Sequence, residues 1–266
     1  LRGTGAEQNG IIQKNYAGTS GTDEIKIVNN GTIDLSGIKS TGIVSDYGHI
    51  VNNNILKTTG AGSIGIVTAN GTLTENNGEI IIGGQDTAGI YGINSLNGIS
   101  SSVLGYGNDS INIVNNGKVI STGSDRVYGI YTGNSTGAGS VLALGTGSEI
   151  NVSSSNGGIG IYADNTTVTG GGALTVGING LGMYAKDSNI NLSGMTVNLN
   201  GNNAMGFYLD GTTNFTGAGN VNVNGQNVIL FNILSNGVFT NNFNITSSAG
   251  SSYTLSAGKD GTFYYN

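Results

Sequence analysis

The chain of 266 residues has no cysteine, no proline and no tryptophan, a single histidine, and charges on only 9% of its residues. Each shortage closes a class. Without cysteine there are no disulfide staples and no thiolate metal site. Without proline or a Gly-X-Y period, the 49 glycines do not make collagen. Nine Lys plus Arg against fifteen Asp plus Glu give a net charge of −6. The only arginines are Arg2 and Arg126 and the lysines are scattered singly, so no cation cluster is available to displace counterions from nucleic acid. No apolar run approaches the roughly 18 residues of a membrane-spanning helix. The strong helix formers are also scarce. What is abundant is Gly, Asn, Ser and Thr, set among Ile and Val, which is a composition of short strands and tight corners. The chain begins at Leu1 without a charged or apolar leader, and is expected to be a fragment or a processed chain.

A repeat organises these residues. Gly, an aliphatic, Val or Tyr, and a small residue recur as Gly42-Ile43-Val44-Ser45, Gly65-Ile66-Val67-Thr68 and Gly89-Ile90-Tyr91-Gly92. Gly129-Ile130-Tyr131-Thr132, Gly160-Ile161-Tyr162-Ala163, Gly182-Met183-Tyr184-Ala185 and Gly206-Phe207-Tyr208-Leu209 follow, with Ile229-Leu230-Phe231-Asn232 as a degenerate eighth copy. The steps between first positions are 23, 24, 40, 31, 22, 24 and 23. A second element, NNGTIDLSG at 29–37, NNGEIIIGG at 76–84 and NNGKVISTG at 115–123, precedes it, with Gly31 and Gly78 eleven residues before Gly42 and Gly89 and Gly117 twelve before Gly129. Gly31, Gly78 and Gly117, with Asn54 in the same place, are expected to supply a left-handed corner.

Three short strands joined by such corners make one coil of a right-handed parallel β-helix. About ten coils at the ~4.8 Å strand spacing give a rod on the order of 50 Å. The expected organisation is an N-terminal coil or cap over 1–24, the β-helix over 25–232, and degenerate last coils or a C-terminal cap over 233–266. The column from Ile43 through Ile66, Ile90, Ile130, Ile161, Met183 and Phe207 to Leu230 is the expected core. The small residues two further on should share its inward face.

Alternation then turns Tyr91, Tyr131, Tyr162, Tyr184 and Tyr208 outward. Such a stripe either stacks sugars or anchors a protein partner, or it simply stiffens the sheet. Asp46, Asn70, Asp164, Asp187 and Asp210 form a second row, read first as corner residues rather than cation ligands. Catalytic groups are few: His49 has no partner to complete a metal set, and Arg126 beside Asp125 is a neighbour pair rather than a site. No enzyme, cofactor or metal is expected. The two long steps place insertions near 94–110 and 133–148, where SVLGYGNDSINIV at 102–114 resembles SVLALGTGSEINV at 140–152. Insertions in solenoids collect on one face, often the binding face. Tyr106, Asn108, Asp109, Asn134 and Glu149, with Tyr91 and Tyr131, are therefore the expected ligand-binding residues; the other reading of these stretches is a structural buttress.

The NNG-x-I-x-L-x-G…S-x-G-I-Y-A pattern resembles the passenger repeats of very large type V autotransporter adhesins, most closely the fusobacterial ones, over about 25 to 232. That resemblance implies a secreted segment displayed at the bacterial surface, held to the outer membrane by a barrel elsewhere in a longer chain. It implies attachment to host-cell or bacterial surface proteins or glycans, or a rigid stalk. End-to-end self-association into filaments is the alternative, and a glycan-cleaving β-helix comes behind both.

Overall fold

In the computed structural model, residues 1–14, 26–46, 48–69, 72–93, 110–123, 125–133 and 139–255 are described. They are all-β, with no helix, and wind as a parallel β-solenoid of about eight turns.

Each turn visits three faces. The first carries Lys26–Asn29, His49–Asn52, Leu73–Asn76, Asn112–Asn115 and Ser140–Leu144, stacked in that order. The second carries Arg2–Gly3, Ile33–Leu35, Ile55–Thr58, Glu79–Ile82, Lys118–Ser121 and Glu149–Val152. Beyond these, the corner between the two faces becomes continuous strand. Thr166–Val176, Asn189–Leu199, Asn214–Val223 and Phe239–Ser247 each run through both faces, which joins them into one sheet. The third face is a separate ten-stranded sheet from Asn9–Lys14 to Tyr253–Thr254. Coil pairing therefore reaches past residue 233, through Phe239–Ser247 and Tyr253–Thr254.

The core is the stack of inward residues from all three faces. Ile43, Ile66, Ile90, Ile130, Ile161, Met183 and Phe207 are Cα partners from coil to coil and fully buried. Ser45, Thr68, Thr132, Ala163 and Ala185, two residues on, are buried as well. The last step of the column differs from the sequence expectation. Phe207 pairs with Phe231, not Leu230, and Tyr208 with Asn232. Leu230 stands where the other copies have glycine, so the repeat is offset there by one residue.

That glycine is held by close backbone approach. A Cβ on Gly42 would lie 2.6 Å from the Gly65 carbonyl oxygen, one on Gly89 2.6 Å from that of Gly129, and one on Gly182 2.5 Å from that of Gly206. On Gly206 it would meet the Leu230 oxygen at 2.6 Å. The coils approach here more closely than any side chain permits.

The NNG corners work differently from expectation. None of Gly31, Asn54, Gly78 and Gly117 is left-handed. Gly78 and Gly117 are small because a Cβ would meet the Asn54 and Gly78 oxygens of the preceding coil at 2.2 and 2.0 Å. The left-handed column lies at the corner leading into the third face: Glu7, Lys39, Gly62, Asp86, Arg126, Gly157, Asn179, Asn203 and Asn227 all have positive φ. Their backbone N–H groups donate up the stack, as Lys39 to the Ala61 oxygen (2.7 Å) and Asn203 to the Gln226 oxygen (2.8 Å). The varied residue types hide this column from sequence reading.

Candidate functional site

The outer surface of the third face carries an aromatic stack. Cα pairing aligns Tyr91, Tyr131, Tyr162, Tyr184 and Tyr208. The first four rings follow one another at 4.7 Å with interplanar angles of 21°, 13° and 16°, and the last step is 5.4 Å and 25°. Tyr128 packs edge-on against Tyr131 and Tyr162. Each such contact contributes about 0.5–1.5 kcal/mol beyond area burial. All five rings are half-buried rather than open. Their faces cover one another, so the row itself leaves only the outer faces of its end rings, Tyr91 and Tyr208, uncovered. Ring edges and hydroxyls are what the surface offers, beside Ile159, Leu181 and Met205, which are also half-buried.

The stack shapes its own titration. Burial raises the Tyr91, Tyr131, Tyr162 and Tyr184 phenols, and neighbouring tyrosines or carboxylates add to it. Tyr131 is pushed up to about 12, by burial first and then by Tyr91, Tyr162 and Asp164. Tyr184 is raised as well, by burial first, and its hydroxyl donates to Asp210 Oδ2 at 3.3 Å. Asp164 is itself raised, chiefly by burial. An unfolded tyrosine loses its proton near pH 10, whereas folded Tyr131 keeps it until about 12. Between those values the unfolded state binds fewer protons, so stability falls as pH rises through that window and is untouched below it. Melting temperatures measured from pH 8 to 12 should show this alkaline loss, and Tyr131→Phe should make it shallower.

The other expected residues do not gather around this stack. Tyr106, Asn108, Asp109 and Asn134 lie outside the described residues. Glu149 opens a strand of the second face, away from Tyr91 and Tyr131, and pairs with Lys118 at 3.1 Å. Within the second inserted stretch, Ser140–Leu144 is a regular strand of the first face, with Val141 opposite Asn112. The resemblance of 102–114 to 140–152 is therefore not a structural register. Of the apolar residues there, Leu142 and Leu144 belong to the core and Val141 is exposed.

The acidic row divides by position. Asp46, Asp164 and Asp210 point outward two residues after the Val/Tyr row; Asn70 lies outside the described residues. Asp187, left-handed, accepts from the Thr212 N–H and hydroxyl at 2.9 and 3.1 Å, and Asp210 from the Gly211 N–H at 2.8 Å. Their side chains tie corners. Arg126 pairs not with Asp125 but with Asp86 of the preceding coil, at 2.6 Å, in the open. His49 Nε2 lies 2.9 Å from Glu75 Oε1. Among the described residues no three His, Cys, Asp or Glu side chains gather as a metal set.

A second feature went unread in the sequence: the two asparagines of each NN pair do different work. The first is buried and forms an inner ladder. Asn29 Nδ2 donates to Asn52 Oδ1 (2.7 Å), Asn52 to Asn76 (2.8 Å), Asn76 to Asn115 (2.7 Å), and Asn115 ends on Ser148 Oγ (2.7 Å). The second is exposed and runs the opposite way: Asn53 donates to Asn30 (2.9 Å), Asn77 to Asn53 (3.1 Å) and Asn116 to Asn77 (2.9 Å). Over this outer ladder lies an open groove of about 390 Å³, lined by Asn53, Asn77, Asn116, Glu79, Lys118 and Gly147 among others. The available signal was the Asn-Asn pair itself, whose second members recur 23, 24 and 39 residues apart.

Comparison with protein-family models, with curated proteins and with solved structures returns no match. The function has to be argued from these surfaces.

Proposed function

We propose that this chain is a segment of a secreted adhesin passenger, displayed at a bacterial cell surface, that attaches to other cells or carries the attaching region as a stiff stalk, without catalysis. The observation that carries this reading is the pair of long outward columns, stacked tyrosines on one face and exposed asparagines at one corner. Both repeat a recognition group once per coil. A continuous core with no buried Asp, Glu, Lys or Arg among the described residues gives such columns a rigid backing. The resemblance of the repeats to autotransporter passengers points the same way. Within this proposal the winding is right-handed, as parallel crossovers nearly always are. The proposal also takes about ten coils of ~23 residues, incomplete end turns included, a count that the ten strands of the third face support.

Flow cytometry with the labelled chain on host cells and on partner bacteria tests the proposal. Saturable binding is expected, lowered at least about fivefold when Tyr91 and Tyr131 are both replaced by serine, an effect typical of aromatic anchor positions. Saturable binding that the double substitution leaves unchanged would move the site off the tyrosine face. Absence of binding to any cell would leave only the stalk.

A further inference from the structure

We infer that the groove over the outer asparagine ladder binds a neutral oligosaccharide. The inference rests on the attachment reading and gives it a ligand class and a site away from the tyrosines.

The chemistry of the row comes first. A primary amide has two N–H donors and an oxygen with two lone pairs. In Asn53 and Asn77 the ladder consumes one donor and one lone pair each, through the bonds to Asn30, between the two, and from Asn116. Asn116 spends one donor on Asn77, and its oxygen accepts from no described residue. Each exposed amide therefore keeps a donor and an acceptor. They repeat once per coil, at about the ~4.8 Å strand spacing. A hydroxyl donates and accepts from a single atom, and a row of hydroxyls about one sugar ring apart matches such a row.

Charge narrows the class. Glu79 and Lys118 both line the groove, and Lys118 is paired with Glu149 just beyond it. One cation among two carboxylates leaves no free positive charge for an acidic sugar, phosphate or sulfate, and an anion meets Glu79. Among the described residues that line it there is no aromatic ring, so hydrogen bonds rather than stacking would hold the ligand. Shape permits it: Gly78, Gly117 and Gly147 put no side chains into the space. The first two are fixed by coil stacking, since a Cβ there would meet backbone oxygen at 2.2 and 2.0 Å. Gly147 is not so constrained: its Cβ would have the Asn116 oxygen at 3.4 Å as neighbour, and its φ is not left-handed.

The test uses the purified chain and four probes: cellohexaose, maltohexaose, chitohexaose and, as the acidic comparator, hexagalacturonate. Side-chain amide resonances of Asn53, Asn77 and Asn116 are followed by NMR during titration. At least one neutral hexamer should shift them saturably, and hexagalacturonate should bind at least tenfold more weakly. Two independent variants check the location. Asn77→Ser with Asn116→Ser removes two exposed amides, and Gly147→Phe fills the groove while keeping all three; each should weaken binding at least tenfold with the melting temperature held. No shift with any neutral hexamer, equal binding by both variants, or preference for the acidic hexamer would overturn the inference. Cell binding that persists in the groove variants would leave the attachment reading standing without it.

Discussion

Gly129→Ala is expected to destabilise the chain by about 3 kcal/mol, at the upper end of what overpacking normally costs. The added methyl would lie 2.5 Å from the Gly160 carbonyl oxygen and 2.6 Å from Ile150 Cγ2. Neither neighbour is free to retreat: the first is backbone of the next coil and the second belongs to a fully buried core side chain. Relief would require the two coils to separate locally, which breaks the hydrogen bonds between Val127–Gly133 and Ile159–Asp164. The control is Gly31→Ala, where an added Cβ meets nothing within 4 Å and φ is not left-handed. That substitution should stay within about 0.5 kcal/mol, as ordinary surface changes do. Urea denaturation of the two variants checks the pair. Equal costs would mean that the recurring glycine is not explained by coil approach.

Asn76→Leu should cost about as much through a different mechanism. Asn76 is fully buried, accepts from Asn52 Nδ2 and donates to Asn115 Oδ1 and the Lys118 oxygen. Leucine fits the volume but leaves Asn52 a donor and Asn115 an acceptor with nothing to meet. Each orphaned buried group costs about 1–3 kcal/mol, so the single substitution should lose about 2–6 kcal/mol. Replacing Asn29, Asn52, Asn76 and Asn115 together by leucine should cost less per residue, because no side-chain amide of the ladder is then left without its partner and only the groups that flank it, such as the Gly31 N–H and the Ser148 hydroxyl, lose theirs. The fold already contains such a step: Leu144 pairs with Asn115 and occupies the next place in that column. Thermal or urea denaturation of the single and fourfold variants tests both halves. A fourfold variant that costs four times the single one would show that the ladder is not acting as a unit.

The inward column was legible because Ile43, Ile66, Ile90, Ile130 and Ile161 each follow a glycine, 23 and 24 residues apart before the two long steps, and burial needs only that alternation. It slipped by one residue at Leu230, where no glycine marked the register. The left-handed corner was assigned to the wrong place for a related reason. Gly31, Gly78 and Gly117 looked like corner glycines, yet two of them answer to stacking distance and none to φ. The true corner is held by residues as different as Lys39, Asp86 and Arg126, because backbone bonds between coils over-determine it and tolerate the strain. The tyrosine row was visible as a stripe, but that the rings cover one another depends on side-chain geometry. Likewise, nothing in an Asn-Asn pair says which amide is buried. That follows only from how the chain enters the corner.

All of these columns, and every functional reading built on them, depend on the coils stacking in one register. The most direct measurement is through-hydrogen-bond scalar coupling in the isotope-labelled chain, read from the buried asparagine side-chain amides. Couplings from Asn29 Nδ2 to the Asn52 Cγ, from Asn52 to Asn76 and from Asn76 to Asn115 are expected, with slow exchange of those amide protons. Couplings that join any other partners, or side-chain amides that exchange as fast as exposed ones, would contradict the stacking.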